Sequence, residues 1–158
     1  MSRDLYHQRM LELAERGDAS ERLADAEVSV TLDNPLCGDR VRIDLDCAGD
    51  GRIDALSHEV RGCVLCRAAA AVLDTHAPGL DADELRAVRD GLRDGLRGER
   101  TLPAAHDWPE FAVFEPVAAH KSRHECVLLP FDAVLSALEQ RAASANGGGR
   151  TTASTTGT

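Results

Sequence analysis

Val41-Arg42-Ile43-Asp44-Leu45-Asp46-Cys47-Ala48-Gly49-Asp50-Gly51-Arg52-Ile53 decides the fold of this chain. Val41, Ile43 and Leu45 alternate with Arg42, Asp44 and Asp46, the period of a strand with one apolar and one wet face. Ala48-Gly49-Asp50-Gly51 then supplies the small, turn-forming residues of a hairpin, and Ile53 to Val60 reads as the returning strand. Upstream, Val28, Val30 and Leu32 alternate in the same way. The expectation is a three-stranded antiparallel meander.

Outside the meander the period becomes helical. Leu5 to Arg16 spaces its apolar residues as a short amphipathic helix, closed by Gly17-Asp18, and residues 19–25 read as a connection. Val64 to His76 is Ala-rich and helical, stopped by Pro78-Gly79. Asp81 and Glu84 have the spacing of a capping box, followed by Leu85, Val88, Leu92 and Leu96 at helical intervals. Gly91 and Gly95 within that run each cost about 1 kcal/mol relative to Ala. Residues 98–119 read as irregular, with Trp108, Phe111 and Phe114 anchoring them on the core. Pro130, Phe131, Val134, Leu135 and Leu138 mark a C-terminal helix, with proline expected only in its first turn. Ser144 to Thr158, rich in Gly, Ser and Thr, reads as a disordered tail. Residues 1–143 therefore form one α+β domain, a three-stranded antiparallel sheet with helices packed on one face, and residues 144–158 the tail.

Composition narrows the function. The 158 residues suffice for a core without staples, and 28% charged residues fit a globular protein. A net charge of −9 disfavours nucleic acid, whose phosphates call for a positive surface. No apolar run is long enough to span a membrane, and Met1-Ser2-Arg3-Asp4-Leu5-Tyr6 is not an apolar signal segment, so a cytoplasmic location is expected. Five cysteines, an odd number, do not resemble a disulfide framework; metal binding or thiol chemistry fits them better.

Three of those cysteines sit at element junctions. Cys37 shares the turn Asn34-Pro35-Leu36-Cys37-Gly38-Asp39 with a carboxylate, Gly38 letting the backbone turn so that Cys37 and Asp39 can face the same way. Cys63 follows Gly62 at a strand-to-helix junction, where the helix dipole favours a thiolate. Cys126 opens the last helix, three residues after the cation Arg123. Each alone also reads as a small core residue. Together Cys37, Asp39, Cys63 and Cys126 are a full tetrahedral set for zinc or for iron in a small cluster.

The segment Asn34 to Asp39, Gly62-Cys63 with Ala68 to Ala71, and Arg123-His124-Glu125-Cys126-Val127-Leu128-Leu129 together resemble the iron–sulfur cluster assembly scaffold family, the NifU N-terminal-domain or IscU/SufU group. The resemblance runs in order from Leu5 to Leu138. It implies the NifU/IscU-like scaffold fold, and a site of Cys37, Asp39, Cys63 and Cys126 holding zinc or a nascent [2Fe–2S] cluster. It also implies a cysteine desulfurase as sulfur donor and apo iron–sulfur proteins as recipients. The spacing of 63 residues from Cys63 to Cys126 resembles the SufU-like branch with its helical insertion. The IscU branch has a histidine before the third cysteine and a Leu-Pro-Pro-Val-Lys segment; this chain has Glu125 and no such segment. Arg123 matches the basic position of the SufU-like branch, and Cys37 its sulfur acceptor. The chain departs from the family at Glu15 to Asp18, where a histidine and a Pro-Arg-Asn signal are expected. It departs again at Cys66 to Ala69, where small hydroxyl residues are usual.

These readings describe a scaffold or zinc-dependent sulfur acceptor rather than a conventional enzyme. Mixed ligands suit transfer: thiolates hold soft metals firmly, and a harder carboxylate leaves one exchangeable corner. Two rivals stand beside it. Cys63-Val64-Leu65-Cys66 is a Cys-x-x-Cys motif and could serve a thiol oxidoreductase, although no βαβ context accompanies it. Zinc could equally brace a binding module without transfer. Cys47, at the wet end of its strand, reads as incidental, His58 as structural, and His120 and His124 as solvated.

Overall fold

The computed structural model describes residues 3–16, 23, 25–35, 38–98 and 108–147, with side chains for 8–16, 23, 25–35, 38–98 and 108–143. Its elements run α1 (Arg3–Arg16), β1 (Val28–Asn34), β2 (Asp39–Cys47), β3 (Ile53–Arg61), α2 (Val64–His76), α3 (Ala82–Leu96), a 3-10 segment (Pro109–Ala119), one 3-10 turn (Lys121–Arg123) and α4 (His124–Gly147). The sheet is the expected antiparallel meander in the order β1-β2-β3. Val30 pairs with Ile43, and Ile43 with His58, so one register carries the apolar face across all three strands. Val41, Ile43, Leu45 and Val60 are buried on that face. α4 packs on β1 and β2, α2 on β3 and α4, and α1 on α2, giving the α+β arrangement with helices on one face.

The wet face is more ordered than alternation suggests. Asp44 is fully buried there and accepts hydrogen bonds from Ser29 on β1 at 2.7 Å and Ser57 on β3 at 3.0 Å. A row of hydroxyl, carboxylate and hydroxyl thus crosses the three strands. Beside it, Arg42 on β2 pairs with Glu59 on β3.

Helix limits follow local chemistry. α2 stops at His76, and the next residues are tied to the sheet: Gly79 donates to the Ile53 carbonyl and Ile53 to the Leu80 carbonyl. The capping box at α3 is formed in both directions, Asp81 accepting from the Glu84 amide and Glu84 from the Asp81 amide. Leu85, Val88, Leu92 and Leu96 are buried, as are Gly91 and Gly95.

Proline placement in the last helix differs from expectation. α4 begins at His124, so Pro130 stands in its second turn rather than its first. Pro130 cannot donate to the Cys126 carbonyl four residues back. Val127, Leu128, Leu129, Phe131 and Val134 are all buried around it, and this packing outweighs the missing bond. α4 also continues to Gly147, past the boundary read at residue 143; residues 148–158 lie outside the described ones.

The stretch read as irregular is 3-10 helical from Pro109 to Ala119. Trp108, Phe111 and Phe114 are buried, and Phe111 packs against Trp108, Phe114 and Phe131 at centroid distances of 5.3, 6.3 and 6.0 Å. His76 stacks on Trp108 at 4.6 Å, and its Nε2 lies 2.8 Å from a Glu110 carboxylate oxygen. Burial alone would push the Glu110 carboxyl up, but the His76 hydrogen bond and its positive charge hold it below the ordinary glutamate value. A carboxyl depressed in the fold contributes stability above its unfolded pKa, and the contribution is lost as pH falls through the folded value. Urea unfolding should show wild type more stable than Glu110→Gln at pH 6, with the gap closing as pH falls below about 4.3. A gap that widened on acidification would contradict this pairing.

Candidate metal centre

β2, the N-cap of α2 and the first turn of α4 contribute one donor each. Asn34 closes β1 and pairs with Asp39, which opens β2. The intervening turn is closed by the Gly38 amide donating to the Asn34 carbonyl at 2.7 Å, with Gly38 at φ 78°, a conformation that costs glycine little. This fixes Asp39 at the sheet end, where its side chain is 2% exposed. Cys63 is the N-cap of α2, in extended conformation, and its side chain caps nothing. Cys126 lies in the first turn of α4 and is fully buried.

The Asp39, Cys63 and Cys126 ligand atoms all lie within 4.8 Å of one another. Cys63 donates its backbone N–H to Asp39 Oδ1 at 3.0 Å, and its Sγ is 3.5 Å from Asp39 Oδ2. A sulfur and an oxygen ligand on one tetrahedral zinc stand about 3.6 Å apart. The Cys63–Asp39 pair therefore already has a metal-ligand separation, and the Cys126 thiol lies within 4.8 Å of both. Removing a thiolate and a carboxylate from water together is costly unless a cation compensates them. Two thiols and a carboxylate suit zinc or iron, and the geometry supports binding of a metal or metal cluster at this point.

Gly62 is part of the same construction. A Cβ on Gly62 would lie 2.5 Å from Asp39 Oδ1, 2.7 Å from its Cγ and 3.0 Å from its Cβ. The missing side chain is the space the carboxylate occupies. In sequence this glycine reads as the residue before Cys63 at a strand-to-helix junction; its proximity to Asp39 is a product of the strand pairing.

The remaining candidates separate clearly. Cys37 and Leu36 lie outside the described residues, between the described Pro35 and Gly38. Arg123 is exposed at the end of the 3-10 turn, three residues before Cys126. Cys66 is fully buried in α2 and is not among the clustered donors. Cys47 is half-buried at the far end of β2, its thiol pushed up by burial against the opposing charge of Arg141. His58 is 2% exposed with Nδ1 3.6 Å from Asp74, a core position as expected. His120 is exposed, whereas His124 is half-buried with Nε2 3.2 Å from the Ala118 carbonyl. Among the described residues no helix is long and apolar enough to cross a membrane.

Comparison with known proteins gives consistent results. The NifU-like N terminal domain family matches residues 5–139. A NifU-like protein (N-terminal) from Brucella abortus is 34% identical, with a TM-score of 0.79 over 88% of this chain and 95% of that one. A described candidate iron–sulfur cluster assembly scaffold for the SUF system, from Fervidobacterium islandicum AW-1, shares the fold at 20% identity. Its TM-score is 0.75 over 87% of this chain and 99% of that one. The zinc-dependent sulfurtransferase SufU of Bacillus subtilis is 26% identical over 121 residues, 77% of this chain and 78% of that protein.

Proposed function

Because the chain belongs to the NifU-like N-terminal domain family, we propose that it is an iron–sulfur cluster assembly protein of the SufU-like kind. It accepts sulfur from a cysteine desulfurase and holds zinc or a nascent [2Fe–2S] cluster on Cys37, Asp39, Cys63 and Cys126 for delivery to apo recipient proteins. The observation that carries this reading is the convergence of Asp39, Cys63 and Cys126 within 4.8 Å, from three separate elements. Cys37, two residues before Asp39 in the sequence, is the fourth donor of the proposed set.

Cys37 is the sulfur acceptor. Its thiolate attacks the terminal sulfur of a desulfurase persulfide; that S–S bond breaks, the desulfurase cysteine leaves as thiolate, and Cys37 becomes the persulfide. Zinc, when bound, would hold the thiols deprotonated. Asp39 is the exchangeable corner, since carboxylate binds soft metals less firmly than thiolate does. The similarity to a zinc-dependent sulfurtransferase favours zinc and sulfur transfer. Complete burial of Cys66 weighs against an oxidoreductase built on Cys63 and Cys66, because exchange needs an accessible thiol.

Sulfur labelling tests the acceptor. With a cysteine desulfurase and labelled cysteine, wild type should gain stoichiometric persulfide and Cys37→Ser none, while Cys66→Ala behaves as wild type. Labelling of Cys37→Ser at the wild-type level would remove Cys37 from the role. Failure to stimulate any desulfurase, with zinc tightly bound, would favour the bracing role instead.

A further inference from the structure

A cleft of about 590 Å³ lies between the C-terminal half of α3 and the approach to α4, distinct from the metal-ligand cluster. Arg89, Arg93 and Arg97 line one wall and Lys121 stands on the other, while Leu96 and Leu128, both buried, form an apolar floor. Glu125 is the single carboxylate in the lining. Four cations against one carboxylate make the lining itself positive, on a chain of net charge −9.

The cations are held in order. Asp132 accepts from Arg89 Nε at 2.9 Å, and Asp90 lies 3.1 Å from Arg89 and 3.5 Å from Arg93. Asp94 lies 3.4 Å from Arg93. None of these three aspartates lines the cleft; they position the guanidiniums from outside it. Arg97 and Lys121 are exposed, and no ion pair among the described residues engages either.

We infer that this cleft binds an extended acidic segment of a protein partner. Three observations select that occupant. The positive lining calls for carboxylates or another anion. The apolar floor calls for side chains between the charges, which a bare phosphate does not offer. The arginines recur every fourth residue along α3 and its C-cap, a rise of about 6 Å per step. That pitch is close to the roughly 6.6–6.8 Å between alternate residues of an extended peptide. A chain with acidic residues at every second position would present one carboxylate to each arginine in turn. The cleft wall from Lys121 to Leu128 includes the first turn of α4, so a segment seated there also lies along the helix that carries Cys126.

Fluorescence anisotropy with a labelled Glu-Ala repeat dodecapeptide and the full chain tests this at low salt. Saturable binding is expected, absent for the Gln-Ala counterpart. Arg97→Glu and Lys121→Glu, on opposite walls, should each weaken it about tenfold or more. Arg9→Glu, an equal charge change on the exposed face of α1, should change it less than about twofold. A urea midpoint and far-ultraviolet circular dichroism equal to wild type show that the variants remain folded. The inference is overturned if Arg9→Glu weakens binding as much as Arg97→Glu, or if no saturable binding occurs. It is equally overturned if inorganic pyrophosphate displaces the peptide at lower concentration than unlabelled peptide does, which would make the cleft a small-anion site.

Discussion

Gly62→Ala should lower zinc affinity by about 10–100-fold, the range expected when the support of a ligand is disturbed. The added methyl cannot be absorbed by a rotation of the carboxylate tip. It meets Asp39 at Oδ1, Cγ and Cβ, all at 3.0 Å or less, so the whole side chain has to move. Asp39 is buried, and its Oδ1 already accepts from the Cys63 amide, so displacement also breaks the bond that sets carboxylate against thiol. Overpacking of this kind costs about 1–3 kcal/mol in folding as well. Competition with a chromophoric zinc chelator measures the affinity directly. Gly49→Ala is the control, because a Cβ there meets nothing within 4 Å. Wild-type affinity in Gly62→Ala would mean that Asp39 is not a ligand or is not held by this packing.

Phe111→Ala should cost about 3–5 kcal/mol, the range for emptying a buried aromatic site. Phe111 is fully buried and touches three other rings, so surrounding side chains cannot collapse into the space without losing their own contacts. Four of the five aromatic residues in the chain join this cluster, and it secures the 3-10 segment against α2 and α4. For a chain of this size the change corresponds to a Tm lower by roughly 6–20 °C. Urea titration measures the cost, and in it Leu11→Ala, at a 42% exposed position, should be close to neutral. A cost for Phe111→Ala below about 1 kcal/mol would show that the cluster is not part of the cooperative core.

Local chemistry made much of this legible. Alternation at Val41, Ile43 and Leu45 placed β2 on the right face, and the Ala-rich run with Pro78-Gly79 bounded α2 correctly. The Asp81–Glu84 box marked the start of α3. What local pattern could not supply was anything decided by packing between distant segments. Pro130 reads as a helix start because its cost is local, whereas the burial of Val127 to Leu129 that offsets it is tertiary. Asp44 reads as solvated because the hydroxyls that satisfy it come from two other strands. The positions of Cys63 and Cys126 at helix starts were visible, but their approach to Asp39 depends on how α2 and α4 dock on the sheet. The basic cleft was hidden for the same reason, its walls being separate in sequence.

The convergence of Asp39, Cys63 and Cys126 also has a thermodynamic consequence. The three donors are separated by loops of 24 and 63 residues, so an unfolded chain holds them together only at a large entropic cost. A cation that binds there selects the folded ensemble, and its binding free energy is added to the stability of the whole domain. A cation bound there would therefore oppose the separation of β2, α2 and α4 on unfolding. Resistance to proteolysis would then report whether a cation occupies the site.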